Sequence, residues 1–164
     1  MTTNWFLLRS PTGLSFTKIE PRLSVFWGSA PMVRSVVSTS GSSRTRFAID
    51  SGTHPHNLIV DAQGQVWYAG NRNGMIGKLD PATRTITRYP MPDPSVRDPH
   101  TLIFDAQGNI WFTAQQSNAV GHLNTKTGAI QLVRTGERTR PYGIVIDSKG
   151  MVWFDLFGTN QIGT

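Results

Sequence analysis

Hydrophobic and polar positions in the second part of the chain follow a phrase that is written three times. From Pro99 the sequence reads PHTLIFDAQGNIWF; it is preceded by PHNLIVDAQGQVWY from Pro55 and followed by PYGIVIDSKGMVWF from Pro141. Each copy has a short apolar run, a turn with aspartate and glycine, and a second run rich in β-branched and aromatic residues. That order predicts a β-hairpin. No helical periodicity interrupts these segments.

The landmarks inside each copy define a repeat. Its aspartates lie 44 and then 42 residues apart, and each is followed by a glycine three residues later, a tryptophan six residues later and a second glycine sixteen residues later. The four sets are Asp61, Asp105 and Asp147; Gly64, Gly108 and Gly150; Trp67, Trp111 and Trp153; and Gly77, Gly121 and Gly163. Four short strands in a period of 42 to 44 residues are typical of one β-propeller blade. The tryptophans are predicted to pack one blade on the next.

These patterns predict an all-β chain with a partial β-propeller over residues 44–164. Its blades cover about 55–92, about 99–135 and, incompletely, 141–164. Closed propellers have about four to eight blades, so we expect an incomplete ring. Residues 1–43 fit no repeat and are predicted to be an irregular or disordered N-terminal segment. A different capping segment, or sequence foreign to the ancestral propeller, are the alternatives for them.

Composition and charge narrow the function classes. The net charge of +6 arises mainly in the first 50 residues, with six basic against two acidic residues, whereas the remainder has ten against eight. The repeats therefore lack a basic patch interleaved with aromatics, which argues against a nucleic-acid partner. The absence of cysteine excludes a disulfide framework and a thiolate metal site. No apolar run or signal sequence predicts a membrane partner or export, so a cytoplasmic location is the default expectation.

The residue after the proline varies between copies: it is His56, His100 and Tyr142. In a propeller the first strand of each blade lines the central channel, so these side chains are expected around one channel mouth. Positions that differ among matching repeats are where function is placed. Histidine suits proton transfer near neutral pH, and Asp98 is expected to point to the same side as His100. Tyr142 is a candidate substrate contact.

Other roles for the histidines stay open at this point. Either His56 or His100 could cap a turn through a hydrogen bond to the backbone. His54 and His56 also form an H-x-H pair, a weak signal for a metal site.

The phrase PHTLIFDAQGNIWFTAQQSNAVGHL resembles the blade signature of the streptogramin B lyases (virginiamycin B lyases), which are β-propellers. The resemblance covers about residues 44–164. It implies an elimination that opens an ester C–O bond of a cyclic depsipeptide antibiotic without water. It also implies that His56 in PHN and His100 in DPH are catalytic, that Asp98 holds the acidic position, and that magnesium assists, with Asp98 as a metal ligand.

In the implied mechanism, one histidine removes the proton α to the ester carbonyl and magnesium stabilises the enolate-like charge. The second histidine protonates a leaving alkoxide, with His56 facing His100 and Asp98 across the ester. The chain departs from the family pattern at the usual glutamate positions. These read Gly70, Ala114 and Leu156 after the W-F-T position, and Gln115 at a further one.

Two functions follow from these residues. The first is a magnesium-dependent carbon–oxygen lyase, complete only if chains assemble or if this is a truncated part of a longer reading frame. The alternative is a non-catalytic propeller repeat module for binding or interaction. His56, His100 and Asp98 favour the lyase, whereas Gln115 and the missing blades favour the module. The expected partners are a small-molecule or peptide ligand at the channel mouth and a second copy of the chain.

Overall fold

A computed structural model describes residues 45–164 in full and, before them, four strands. The chain forms two compact units, Met1–Ala48 and Ile49–Thr164. In the first unit, β1 (Phe6–Ser10) pairs antiparallel with β2 (Gly13–Thr17), and β3 (Leu23–Val25) pairs antiparallel with β4 (Val36–Ser38). The prediction of an irregular or disordered segment falls mostly on residues outside the described ones and stays a prediction, as do the domain boundaries.

The second unit consists of three antiparallel sheets whose strands follow chain order. Blade 1 comprises β5 (Pro55–Val60), β6 (Val66–Gly70), β7 (Met75–Leu79) and β8 (Ile86–Pro90). Blade 2 comprises β9 (Pro99–Phe104), β10 (Ile110–Ala114), β11 (Ala119–Leu123) and β12 (Ile130–Arg134). Blade 3 comprises β13 (Pro141–Ile146), β14 (Val152–Leu156) and β15 (Gln161–Gly163). The all-β, partial-propeller prediction is confirmed. In the described part of the chain, no helix has the length and apolar character needed to cross a membrane.

The repeated aspartate closes the first hairpin of each blade. In blade 1, two turn amides donate to Asp61 Oδ1 at 3.0 and 2.9 Å, and Trp67 Nε1 donates to Oδ2 at 2.9 Å. Blade 3 repeats the arrangement, with Trp153 Nε1 donating to Asp147 Oδ2 at 3.1 Å. In blades 1 and 3 the aspartate therefore fixes both the turn and the indole, because its two oxygens serve different donors. In blade 2 the Asn109 amide group donates to Asp105 Oδ2 at 3.2 Å.

The second glycine of each repeat makes room for an aromatic ring of the neighbouring strand. Gly77 lies opposite Tyr68, and Gly121 lies opposite Phe112. A Cβ at either glycine would collide with the facing ring. The spacing between tryptophan and glycine is therefore a packing requirement within one sheet.

Adjacent blades are joined by apolar packing. Trp67 is 3% exposed; its ring stacks on Tyr89 at 5.4 Å and meets the edge of Phe104 in blade 2 at 6.5 Å between centroids. Phe112 and Ile110 of blade 2 belong to the same buried cluster as Trp67. The predicted packing between blades is confirmed for Trp67.

Hydrogen bonds also cross from each blade to the next. Asn71 Nδ2 donates to the Pro99 carbonyl at 3.3 Å, and the Leu102 amide donates to Asn57 Oδ1 at 2.9 Å. Thr113 Oγ1 donates to the carbonyl of residue 142 at 2.9 Å. These bonds attach the first strand of blades 2 and 3 to the blade before it, which helps to position the candidate site.

Candidate functional site

The first strand of every blade carries a register shift near its start. Pairing with the second strand jumps from Pro55 to Leu58 in β5 and from Pro141 to Ile144 in β13, and β9 shifts between its partners Phe112 and Ala114. A β-bulge bends the strand and re-aims side chains, and bulges are frequent beside functional sites. The skipped positions are His56 and Asn57, His100 and Thr101, and Tyr142 and Gly143.

The three bulges bring the variable side chains together. The His56 and His100 ring centroids are 3.5 Å apart with an interplanar angle of 34°. Tyr142 lies on the other side of His100, at 4.4 Å between centroids. The three rings therefore form a continuous stack across three blades. Because the two imidazole centroids are only 3.5 Å apart, an ester does not fit between the rings in this arrangement.

Burial sets the protonation of the two histidines. His100 is 4% exposed, and this desolvation, together with the charge of His56, lowers its pKa to about 4, while Asp155 acts in the opposite direction. Burial also lowers the pKa of His56, opposed by a hydrogen bond to the backbone of His100. Both pKa shifts favour the neutral imidazole at pH 7, which is the form that can accept a proton. His100 Nδ1 lies 3.1 Å from Thr101 Oγ1, and either atom can carry the proton.

The structure places the Asp98 carboxylate on a turn. It accepts hydrogen bonds from the Gln116 amide, the Ser117 hydroxyl and, at 3.1 Å, the Ser117 amide. Asp98 is 7% exposed and closes the β10–β11 turn. Among the described residues, its hydrogen bonds lead to this turn and not to His100. The predicted pairing of Asp98 with His100 is therefore not formed, because three donors of the turn take up its oxygens.

The same side chains offer few ligands for a magnesium ion. Residues 45–164 and the four described strands contain no group of three His, Cys, Asp or Glu side chains able to hold a metal ion. Magnesium prefers several oxygen ligands, and the oxygens of Asp98 already accept three hydrogen bonds. The described residues do not fit the ion by themselves. Magnesium stays a prediction.

A carboxylate that the sequence prediction missed lies beside the stack. The Tyr142 and Gly143 amides donate to Asp155 Oδ1 and Oδ2 at 3.0 and 3.1 Å. The signal was present: two residues after the repeat tryptophan, the three copies read alanine, threonine and aspartate. Asp155 is thus an acidic residue at a repeat position that faces the bulge.

The blades and their variable residues lie in a region that matches a known protein family. The profile described as the virginiamycin B lyase family matches residues 35–164. The chain belongs to the virginiamycin B lyase family. In the comparison with curated protein sequences, nothing matches.

Solved structures agree with this membership of the virginiamycin B lyase family. The chain is similar to selenomethionine-substituted virginiamycin B lyase from Staphylococcus aureus, with 30% identity, a TM-score of 0.63 and coverage of 70% of this chain and 38% of that one. It is also similar to a catalytically inactive histidine-to-alanine variant of that enzyme with quinupristin, with 21% identity, a TM-score of 0.69 and coverage of 96% and 53%. The WD40 β-propeller domain of Doa1 shares the fold alone, with 13% identity, a TM-score of 0.61 and coverage of 79% and 42%.

The chain corresponds to only part of the length of these lyase structures. The chain spans between 38% and 53% of the length of the two lyase structures. His56, His100 and Tyr142 all lie within the matched residues 35–164. Membership of the virginiamycin B lyase family therefore explains the sequence repeat and the propeller blades.

Proposed function

We propose that this chain forms part of a carbon–oxygen lyase that opens the ester of a cyclic depsipeptide antibiotic of the streptogramin B type by elimination. The observation that carries the proposal is the contact between the His56 and His100 rings, 3.5 Å apart at the start of two adjacent blades. Two neutral imidazoles in contact offer a base and a proton relay in one place. Family membership and the inactive histidine variant of a relative support the choice of reaction.

An elimination breaks the alkyl carbon–oxygen bond of an ester, whereas hydrolysis breaks the acyl carbon–oxygen bond. A base removes a hydrogen from the carbon next to the one that bears the ester oxygen, the C–H electron pair becomes the new double bond, and the alkyl carbon–oxygen bond breaks. The leaving group is then a carboxylate and not the alkoxide expected from the sequence, because no nucleophile reaches the acyl carbon. One imidazole takes the proton, and its neighbour can pass it on.

Tyr142 extends the histidine pair toward solvent. Its side chain is 44% exposed, while its ring contacts His100. An exposed aromatic ring next to a buried base suits a substrate contact, because it offers apolar area with little loss of conformational freedom. We assign Tyr142 to substrate binding on this basis.

The test is incubation of the purified chain with a streptogramin B substrate, followed by mass spectrometry. Elimination gives a linear product with the mass of the substrate, whereas hydrolysis adds one water. His100→Ala should lower turnover by about 10²–10⁴-fold, the usual size of a proton-transfer role. His54→Ala is the matched control, since His54 is an exposed histidine two residues before His56. An intact lactone ring in the wild-type reaction, or equal turnover in both variants, would contradict the proposal.

A binding module is the second candidate, and one observation favours it. The carboxylate expected to assist His100 is bound to a turn by Gln116 and Ser117. An aromatic stack of His56, His100 and Tyr142 with few carboxylates nearby is suited to binding a ligand without catalysing its reaction. Saturable binding of the antibiotic with no ring opening, abolished by Tyr142→Ala, would favour this function over the lyase.

A further inference from the structure

The residue two positions after the repeat tryptophan faces the bulge of the first strand. It is Ala69 in blade 1, Thr113 in blade 2 and Asp155 in blade 3. In blade 2 the Thr101 amide donates to Thr113 Oγ1 at 3.3 Å. This position can therefore supply a side-chain acceptor to backbone amides that the register shift takes out of the strand pairing.

In blade 3 the aspartate satisfies two such amides at once. Tyr142 N donates to Asp155 Oδ1 and Gly143 N donates to Oδ2, at 3.0 and 3.1 Å. A carboxylate offers two oxygens, and hydrogen bonds to an ionised acceptor are stronger than those to a hydroxyl. Asp155 therefore binds two backbone amides of its bulge, whereas Thr113 accepts a hydrogen bond from one amide of the blade 2 bulge.

Gly143 is what allows this carboxylate to approach. A Cβ built on Gly143 would lie 2.9 Å from Asp155 Oδ2, closer than real Cβ contacts permit. The residue after the variable position differs between the two blades: threonine follows His100, whereas glycine follows Tyr142. The pair of Gly143 and Asp155 is therefore a matched feature of blade 3.

Tyr142 is held from both sides as a result. Its amide is bound by Asp155, and its carbonyl accepts from Thr113 Oγ1 at 2.9 Å. Tyr142 is 44% exposed, and its ring lies 4.4 Å from the ring of His100 and 6.3 Å from that of Phe157, between centroids. The two hydrogen bonds hold the main chain of Tyr142, whose ring contacts His100.

We propose that Asp155 is a positioning residue of the site, whose carboxylate fixes the bulge at Tyr142 and thereby holds the Tyr142 ring against His100. It takes the supporting place in the site that the sequence assigned to Asp98. Its significance for ester opening rests on the proposed function, whereas the positioning itself is a property of the chain without substrate.

The experiment compares the full chain with Asp155→Ala, Asp155→Thr and Gly143→Ala by NMR. The readouts are the cross-relaxation between the Tyr142 and His100 rings and the hydrogen exchange of the Tyr142 and Gly143 amides. Asp155→Ala should lose the ring contact and speed exchange of both amides by about tenfold or more, given the strength of a hydrogen bond to a charged acceptor. Asp155→Thr should restore part of the protection, as Thr113 provides for its own bulge.

Gly143→Ala and one further variant, Asp98→Ala, make the result specific. Gly143→Ala keeps the Asp155 side chain but adds a methyl group against its carboxylate, so it should reproduce part of the losses, and it also serves if Asp155→Ala does not fold. Asp98→Ala should speed exchange at Gln116 and Ser117 and leave the two amides of the blade 3 bulge protected. Unchanged ring contact and unchanged exchange in the folded Asp155 or Gly143 variants would overturn the inference.

The outcomes separate this inference from the lyase proposal. Loss of the ring contact in a chain that does not open the ester supports the positioning role and contradicts the lyase. An active chain whose ring contact survives Asp155→Ala contradicts the positioning role and supports the lyase. If both hold, Asp155→Thr should recover more turnover than Asp155→Ala, because it restores the tether without the charge.

Discussion

Blades 1 and 3 carry the same sequence phrase in two different environments. Trp67 is 3% exposed and Trp153 is 39% exposed; Ile76 is 0% exposed, and Ile162, its counterpart, is 76% exposed. Both indoles bond to the aspartate of their own turn, so the local structure is the same. The difference shows that the repeat sequence specifies a face for the next blade, and that burial depends on whether a blade is there to cover it.

The largest predicted difference between blades 1 and 3 is in the loss of stability when Trp67 or Trp153 is replaced. Trp67→Ala should lower the free energy of unfolding by about 3–5 kcal/mol, the usual cost of truncating a buried tryptophan. Trp153→Ala should cost less than half as much, because part of its ring is already in water while its indole hydrogen bond matches that of Trp67. Urea unfolding of the two variants measures the difference. Equal losses would mean that Trp153 is covered in solution.

The glycines that face aromatic rings sharpen the same comparison. Gly121→Ala should cost about 1–3 kcal/mol, because Phe112 is fully buried and its ring has little room to move away from the added methyl. Gly163→Ala should cost less, since Phe154 in blade 3 is only half-buried. Thermal unfolding of both variants provides the measurement. A larger loss at Gly163 would break the comparison.

The exposed face of blade 3 leads to a prediction about association. Val145, Trp153 and Ile162 are 58%, 39% and 76% exposed and form an apolar face that we expect a second copy of the chain to cover. Ile162→Lys should weaken self-association by about tenfold or more, because it places a charge in the contact. Light scattering over a concentration series measures this. Val133→Lys, at a similarly exposed valine of blade 2, is the control. A wild-type monomer at every concentration would contradict the prediction.

A further prediction concerns the dependence of stability on pH and rests on the buried His100 of blade 2. The pKa of His100 is lowered from 6.5 to about 4 by burial first and by His56 second. Between these values the unfolded chain binds more protons than the folded one, so stability falls as pH falls from about 6.5 toward 4. His100→Gln should flatten this slope in urea unfolding at several pH values. A slope that survives this substitution would assign it to other groups.

Sequence reasoning reached the fold because the landmarks of the repeat are themselves structural. Asp61 closes its turn, Trp67 fills the space between blades, and Gly77 admits the Tyr68 ring. Repeat symmetry also pointed to His56, His100 and Tyr142 as one group. The register shifts that aim these side chains depend on pairing across strands, which no single-strand pattern contains.

The acidic member of the site shows where such reasoning stops. Asp98 was expected beside His100 from its spacing along an extended strand, but the amides of the β10–β11 turn bind its carboxylate. Asp155 is 55 residues from His100 along the chain and reaches the site through the bulge of the next blade. Spacing along one strand predicts neither outcome, because both are decided by which backbone amides lack a partner.

The hydrogen bonds that cross between blades also bear on how the chain folds. They join residues 28, 45 and 29 positions apart, at Asn71 to Pro99, Asn57 to Leu102 and Thr113 to Tyr142. Two of them therefore close loops of about two-thirds of a repeat and the third a loop of about one repeat. The entropy of closing a loop grows only slowly with its length. A blade can form and then serve as a template for its neighbour, as in other repeat proteins. We accordingly expect assembly to proceed from one blade to the next along the chain.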